Sequence, residues 1–137
     1  MFENPNINIK LKLSALWTSL MVLYIYGDYF ELYVPGKVEK LINGTAKLDS
    51  PTLLLIASIL IAIPAFMIAL SILLKPKINR LLNIIFGILL TMIVILVGSN
   101  SLYEWYSFYV LYAFLEAIIT ISIVWNAWKW PKKPPSD

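Results

Sequence analysis

The sequence predicts an all-α fold: a polytopic membrane four-helix bundle with both termini cytoplasmic. Three observations carry this expectation: long apolar runs, basic residues gathered on alternate connections, and aromatic side chains at the ends of the runs. The chain has 137 residues, 60% of them hydrophobic, so it is too apolar for a small water-soluble domain and too short for several domains. Residues 1–137 are therefore read as a single transmembrane domain, with spans at 13–33, 52–74, 81–100 and 105–128.

Met1 to Asn8 form a short polar lead. Lys10 and Lys12 before an apolar stretch have the look of a signal peptide, but that stretch continues into Trp17, Tyr24, Tyr26 and Asp28 without a small-x-small cleavage pattern. It is expected to remain as the first span, with Pro35-Gly36 ending it. The outer connection, 34–51, places Val38, Leu41 and Ile42 near one helical face and Lys37, Lys40 and Lys47 largely elsewhere. It is either a short interfacial helix or an external loop. Asn43-Gly44-Thr45 matches an N-glycosylation acceptor and is read as incidental.

Asp49-Ser50-Pro51 is a start signal for the second spanning helix. Pro51 to Leu74 then carries no charge, and more than 20 residues at about 1.5 Å each suffice for a hydrocarbon core about 30 Å thick. Ser58-x-x-x-Ala62 and Ala65-x-x-x-Ala69 offer close-packing positions. Pro64 predicts a bend that frees a backbone carbonyl around Leu60, and that carbonyl could wall a cavity. Leu81 to Tyr103 is likewise uncharged, includes Gly87, Thr91 and Gly98, and ends at Gly98-Ser99-Asn100-Ser101. So short a turn makes the third and fourth spans an antiparallel hairpin. The fourth span carries only Glu116.

Eight cations, Lys10, Lys12, Lys75, Lys77, Arg80, Lys129, Lys132 and Lys133, fall on one side of this topology, against three, Lys37, Lys40 and Lys47, on the other. The positive-inside rule then puts both termini in the cytoplasm. Lys75, Lys77, Arg80, Lys132 and Lys133 are topology determinants, and contact with anionic lipids at the cytoplasmic face is a compatible second role. Trp128 and Trp130 anchor the inner edge; Tyr103, Trp105, Tyr106 and Tyr109 form a belt at the outer one.

The chain has no cysteine and no histidine, which removes disulfides, thiol nucleophiles, His-ligated haem or zinc and imidazole acid–base chemistry. No catalytic residue, cofactor site or metal site is expected, and an enzyme is the less favoured reading. Aromatic and basic residues are segregated by membrane level, so no nucleic acid partner is expected.

The polar residues inside the spans are the candidates for function, because an ionised carboxylate at that depth must be partnered, protonated or facing water. Asp28 and Glu31 are three apart on adjoining parts of one helical face, with Tyr24 one turn before Asp28 and Gly27 allowing a neighbouring helix to come close. With the span centred near Val22 or Leu23, helical rise puts Asp28 about 8 Å and Glu31 about 13 Å towards the outer surface. Tyr109, Tyr112, Glu116 and Thr120 make a polar stripe on the last helix. Pairing the first and fourth spans gives a ligand or proton site of Asp28, Glu116, Tyr24, Tyr109, Tyr112 and Thr120, with Glu31, Glu104 and Trp105 at an outer mouth. Glu116 could instead hold the helices together by a hydrogen bond, or face a second copy.

Leu13-Ser14-Ala15-Leu16-Trp17, Tyr24 to Phe30 and Leu32 to Lys37 resemble the first block of a family of uncharacterised prokaryotic membrane proteins. Pro76 to Ile84 and Glu116 to Trp130 resemble its further blocks. The resemblance implies four transmembrane helices in the plasma (inner) membrane of a prokaryote and brings no catalytic residues. More distantly, the family is similar to small quinone-associated four-helix membrane proteins. Two functions remain open: transport or binding of a small molecule or cation at the carboxylate and tyrosine cavity, or a structural or accessory subunit of a membrane complex. Beyond the lipid bilayer, the partners are then that small molecule or cation, or a homo-oligomer or larger membrane assembly.

Overall fold

The computed structural model describes residues 1–48 and 50–133 and is helical throughout its ordered elements. Helix α1 (Ile9–Glu31) starts where the Asn8 side chain accepts the Lys10 backbone N–H at 2.9 Å, satisfying one of the orphan donors of the first turn. After it, Gly36 adopts φ +77°, a left-handed conformation that suits glycine, and the chain turns into the six-residue helix α2 (Lys37–Ile42). Of the two alternatives for this connection, the helix is present, and Val38, Leu41 and Ile42 on it are exposed.

Helix α3 (Pro51–Leu73) has Ser50 as its N-cap, accepting from the Leu53 N–H at 3.2 Å, and Pro51 in its first turn, where the missing N–H has no helical partner to lose. Asp49, the first residue of the expected start signal, lies outside the described residues. Helix α4 (Pro76–Ser99) also starts on a proline, so it begins before the charge-free run and takes Lys77 and Arg80 into its first turns. A short 3₁₀ turn at Glu104–Tyr106 leads into α5 (Ser107–Trp128). Helices α1, α3, α4 and, with the 3₁₀ turn, α5 are each long and apolar enough to cross a membrane.

Around the bundle the order is α3, α1, α5, α4. The α4–α5, α1–α3 and α1–α5 seams are extensive, whereas α3 and α4 meet sparsely although only Leu74 and Lys75 separate them in the chain. Two glycines explain the tightness of the α4–α5 seam: a Cβ at Gly87 would stand 2.6 Å from Val124 Cγ2, and one at Gly98 would stand 2.8 Å from Ala113 Cβ. Inside lipid the hydrophobic effect does not drive helices together, so such close backbone approach and the hydrogen bonds it permits carry the association. Thr91 Oγ1 donates to Thr120 Oγ1 across the same seam at 2.8 Å.

The packed core fills the half of the bundle nearest the termini, with Leu13, Trp17 and Leu20 of α1 against Met67, Leu90, Ile123 and Ala127. A buried polar network lies beside it. Trp17 Nε1 donates to Asn83 Oδ1 at 2.7 Å; Asn83 Nδ2 donates to the carbonyl and side-chain oxygens of Asn79 at 2.8 and 2.7 Å; Asn79 Nδ2 donates to the Ser71 carbonyl at 2.6 Å. Lys10 Nζ donates to the Ile72 and Leu74 carbonyls at 3.1 and 2.7 Å, closing the C-terminus of α3, where helical carbonyls lack partners. These bonds tie α1, α3 and α4 together at one end.

Candidate functional site

The opposite half of the bundle is hollow. Where α1 carries Tyr24, Gly27 and Asp28, α5 carries Tyr109, Tyr112 and Glu116, and both face a cavity of about 140 Å³. Aliphatic side chains of α3 and α4 complete the wall, with buried Leu90 shared between the cavity and the core. The interior is thus two-sided, with carboxyl and phenol groups on the α1–α5 side and hydrocarbon on the α3–α4 side.

Among the described residues, none of Tyr24, Asp28, Tyr109, Tyr112 and Glu116 makes a side-chain hydrogen bond, although no fully buried side-chain oxygen or nitrogen lacks a partner. Their polar atoms therefore retain access to the cavity or to its rim. The one ion pair among the described residues lies outside it: Lys37 Nζ meets Glu31 Oε1 at 2.6 Å, and Tyr106 Oη also donates to that oxygen at 3.4 Å. Among the described residues, neither Asp28 nor Glu116 forms an ion pair.

Five of the six residues expected at the ligand site come together in this way. Thr120 does not, being fully buried in the α4–α5 seam, where it is bonded to Thr91 and donates to the Ala117 carbonyl at 3.1 Å. Helical spacing put it on the stripe of Glu116, but it sits one turn deeper, below the floor of the cavity. Of the expected outer mouth, Glu31 is held by Lys37 and Tyr106, while Glu104 and Trp105 border a separate shallow depression with Ser107 and Phe108.

A cluster of aromatic rings closes the α1–α5 seam above the cavity. Phe30 and Phe108 both meet Tyr112 edge to face, at centroid separations of 6.5 and 6.3 Å, and Phe108 meets Tyr109 at 5.7 Å. Asp28 and Ile61 belong both to the cavity and to a neighbouring groove between α1 and α3, which reaches Leu48. Leu60 lines the cavity as well. Four residues further on stands Pro64, which has no N–H to give the Leu60 carbonyl, so the regular helical bond to that carbonyl is missing.

At the terminal end, Lys75, Lys77, Lys132 and Lys133 are exposed. Arg80 is engaged instead, its Nε donating to the Ala127 carbonyl at 3.1 Å and its guanidinium lying 5.8 Å from the Trp128 ring centre. Asn79 and Asn83 do not stand out in the sequence, because Asn79 sits within a basic cluster that reads as a topology signal. Their i, i+4 spacing, continued by Gly87 and Leu90 on one face, was the available sign.

Four membrane-length helices around a half-hollow interior define a small multi-pass membrane protein. The chain belongs to DUF6326, a family of unknown function whose model matches residues 1–135. No curated protein and no solved structure matches it.

Proposed function

We propose that this protein binds a small organic cation in the cavity between Asp28 and Glu116, as a membrane carrier or receptor. The observation that carries the reading is the pair of carboxyl groups facing one cavity with no lysine or arginine partner among the described residues. An ionised carboxylate at membrane depth calls for a compensating charge, and a cationic ligand supplies it. Tyr24, Tyr109 and Tyr112 add aromatic faces, which attract an ammonium group from within about 6 Å. The volume is comparable with the about 150 Å³ apolar cavity that accepts benzene, which sets the scale of the group admitted.

A packing role for Glu116 is less favoured, since hydrogen bonds between helices are made by Thr91 with Thr120 and by the Asn79–Asn83 network. A neutral quinone, the ligand that the distant resemblance would suggest, offers no charge to an ionised Asp28 or Glu116. The charge asymmetry supports cytoplasmic termini, with Lys75, Lys77, Lys132 and Lys133 at an anionic lipid surface, and the prokaryotic resemblance supports a plasma-membrane location.

The test is calorimetric titration of the purified protein with tetramethylammonium. Glu116→Gln and Asp28→Asn should each weaken binding at least about tenfold, the size of one charge-assisted contact. Wild-type affinity in Glu116→Gln would end the proposal.

A further inference from the structure

Resting on the cation site above, we infer that the ligand is an amphiphile: an ammonium head held between Asp28 and Glu116, with a hydrocarbon chain that leaves the cavity between α3 and α4 into the bilayer. The seams of the bundle differ in a way that leaves this route. Phe30, Phe108 and Tyr112 pack edge to face across the α1–α5 seam beside a groove walled by aromatic rings, not by alkyl groups alone. At the α4–α5 seam the backbones are so close at Gly98 that not even a methyl group fits against Ala113. The α1–α3 groove is mainly apolar, but it joins the cavity at Asp28, so an alkyl chain leaving that way would have to pass the carboxyl group that holds the head.

Between α3 and α4 the situation is reversed. The hydrogen bonds joining them, from Asn79 to the Ser71 carbonyl and from Ser71 Oγ to Asn83, lie at the end where the chain connects them, and elsewhere the two helices meet sparsely. The cavity wall on this side is made of Leu60 and Ile61 of α3 with Ile93, Val94 and Val97 of α4, all aliphatic. Val97 lines the cavity and is also 38% exposed, so it stands at a rim. Polar groups on the inner side and aliphatic groups at the lipid-facing side match the two ends of one amphiphilic cation. A closed chamber of about 140 Å³ would exclude an eight-carbon chain, while a chamber open to lipid would not.

The experiment compares tetramethylammonium with butyl- and octyltrimethylammonium, using the full chain in lipid nanodiscs and subtracting the partitioning measured in empty nanodiscs. Saturable binding of the octyl compound is expected, tightening by about fourfold per added methylene when expressed against aqueous concentration. Val97→Trp, which places a large side chain at the rim, should lower the octyl-to-tetramethyl affinity ratio at least tenfold. That ratio is insensitive to a uniform loss of folded protein. If tetramethylammonium binds and the octyl compound does not, the lateral route is wrong and the cation site stands. An unchanged ratio in Val97→Trp likewise overturns the route. If no ammonium compound binds, the cation site and the route fail together.

Discussion

Glu116 and Thr120 are one helical turn apart, yet they have different fates. Thr120 is fully buried with its hydroxyl bonded to Thr91, whereas Glu116 opens onto a cavity without a bonded partner among the described residues. The sequence could place both on a stripe because spacing fixes the face of a helix. It could not say where the neighbouring helix stops touching that face, since that depends on Gly98 and Ala113 pulling α4 and α5 together above and on α3 standing away. Asn83 shows the opposite limit, an ordinary-looking amide that joins Trp17, Ser71 and Asn79 in one buried network. Asn83→Ala should leave the Trp17 indole N–H without its acceptor and lower stability by about 1–3 kcal/mol. Thermal unfolding in a mild detergent measures this, and an unchanged midpoint would show the network to be dispensable.

At the scale of the helices, the presence of the long apolar runs was the legible part. Hydropathy is a local property, so the uncharged runs locate two of the long helices without knowledge of any contact; Pro51 marks the start of one, while the other begins at Pro76, five residues ahead of its run. Which glycine matters is a matter of contact. A Cβ at Gly27 would meet Tyr112 Cδ2 at an ordinary 3.5 Å, while one at Gly98 would meet the Ala113 Cβ, an atom with no rotamer to move away on. Gly98→Ala should therefore destabilise the bundle by about 1–3 kcal/mol through overpacking. Gly27→Ala should be neutral, or stabilising by up to about 1 kcal/mol, because alanine restricts the unfolded chain. Chemical or thermal unfolding of the two variants side by side would refute the assignment of the close seam to Gly98 if their order were reversed.

For the whole molecule, the sequence supplied the number of membrane-length helices and the charge asymmetry but not the order α3, α1, α5, α4, which no local pattern encodes. The orientation can be read directly because the chain lacks cysteine. A single cysteine at Thr45 should react with a membrane-impermeant maleimide in intact cells. One at Lys77 should react only after permeabilisation. Labelling in the reverse order would invert the topology. Replacing Lys75 and Lys77 with glutamine should weaken the enrichment of anionic over neutral lipid around the protein in mixed-lipid nanodiscs, at about 1 kcal/mol per lysine near the surface. Spin-labelled anionic and neutral lipids measure this enrichment, and an unchanged preference in the variant would refute the role.

The two-residue link between α3 and α4 has a mechanical consequence. With Lys10 bound to the carbonyls at Ile72 and Leu74, and Asn79 bound to that of Ser71, the two helices are fastened at one end like the legs of a pair of compasses. Relative motion of the legs is then an angle and not a translation. Over the 23 residues of α3, about 34 Å at helical rise, a swing of about 5° carries the free tip about 3 Å. A displacement close to the width of a methylene chain thus requires little rearrangement at the pivot, where every buried side-chain oxygen and nitrogen among the described residues has a partner.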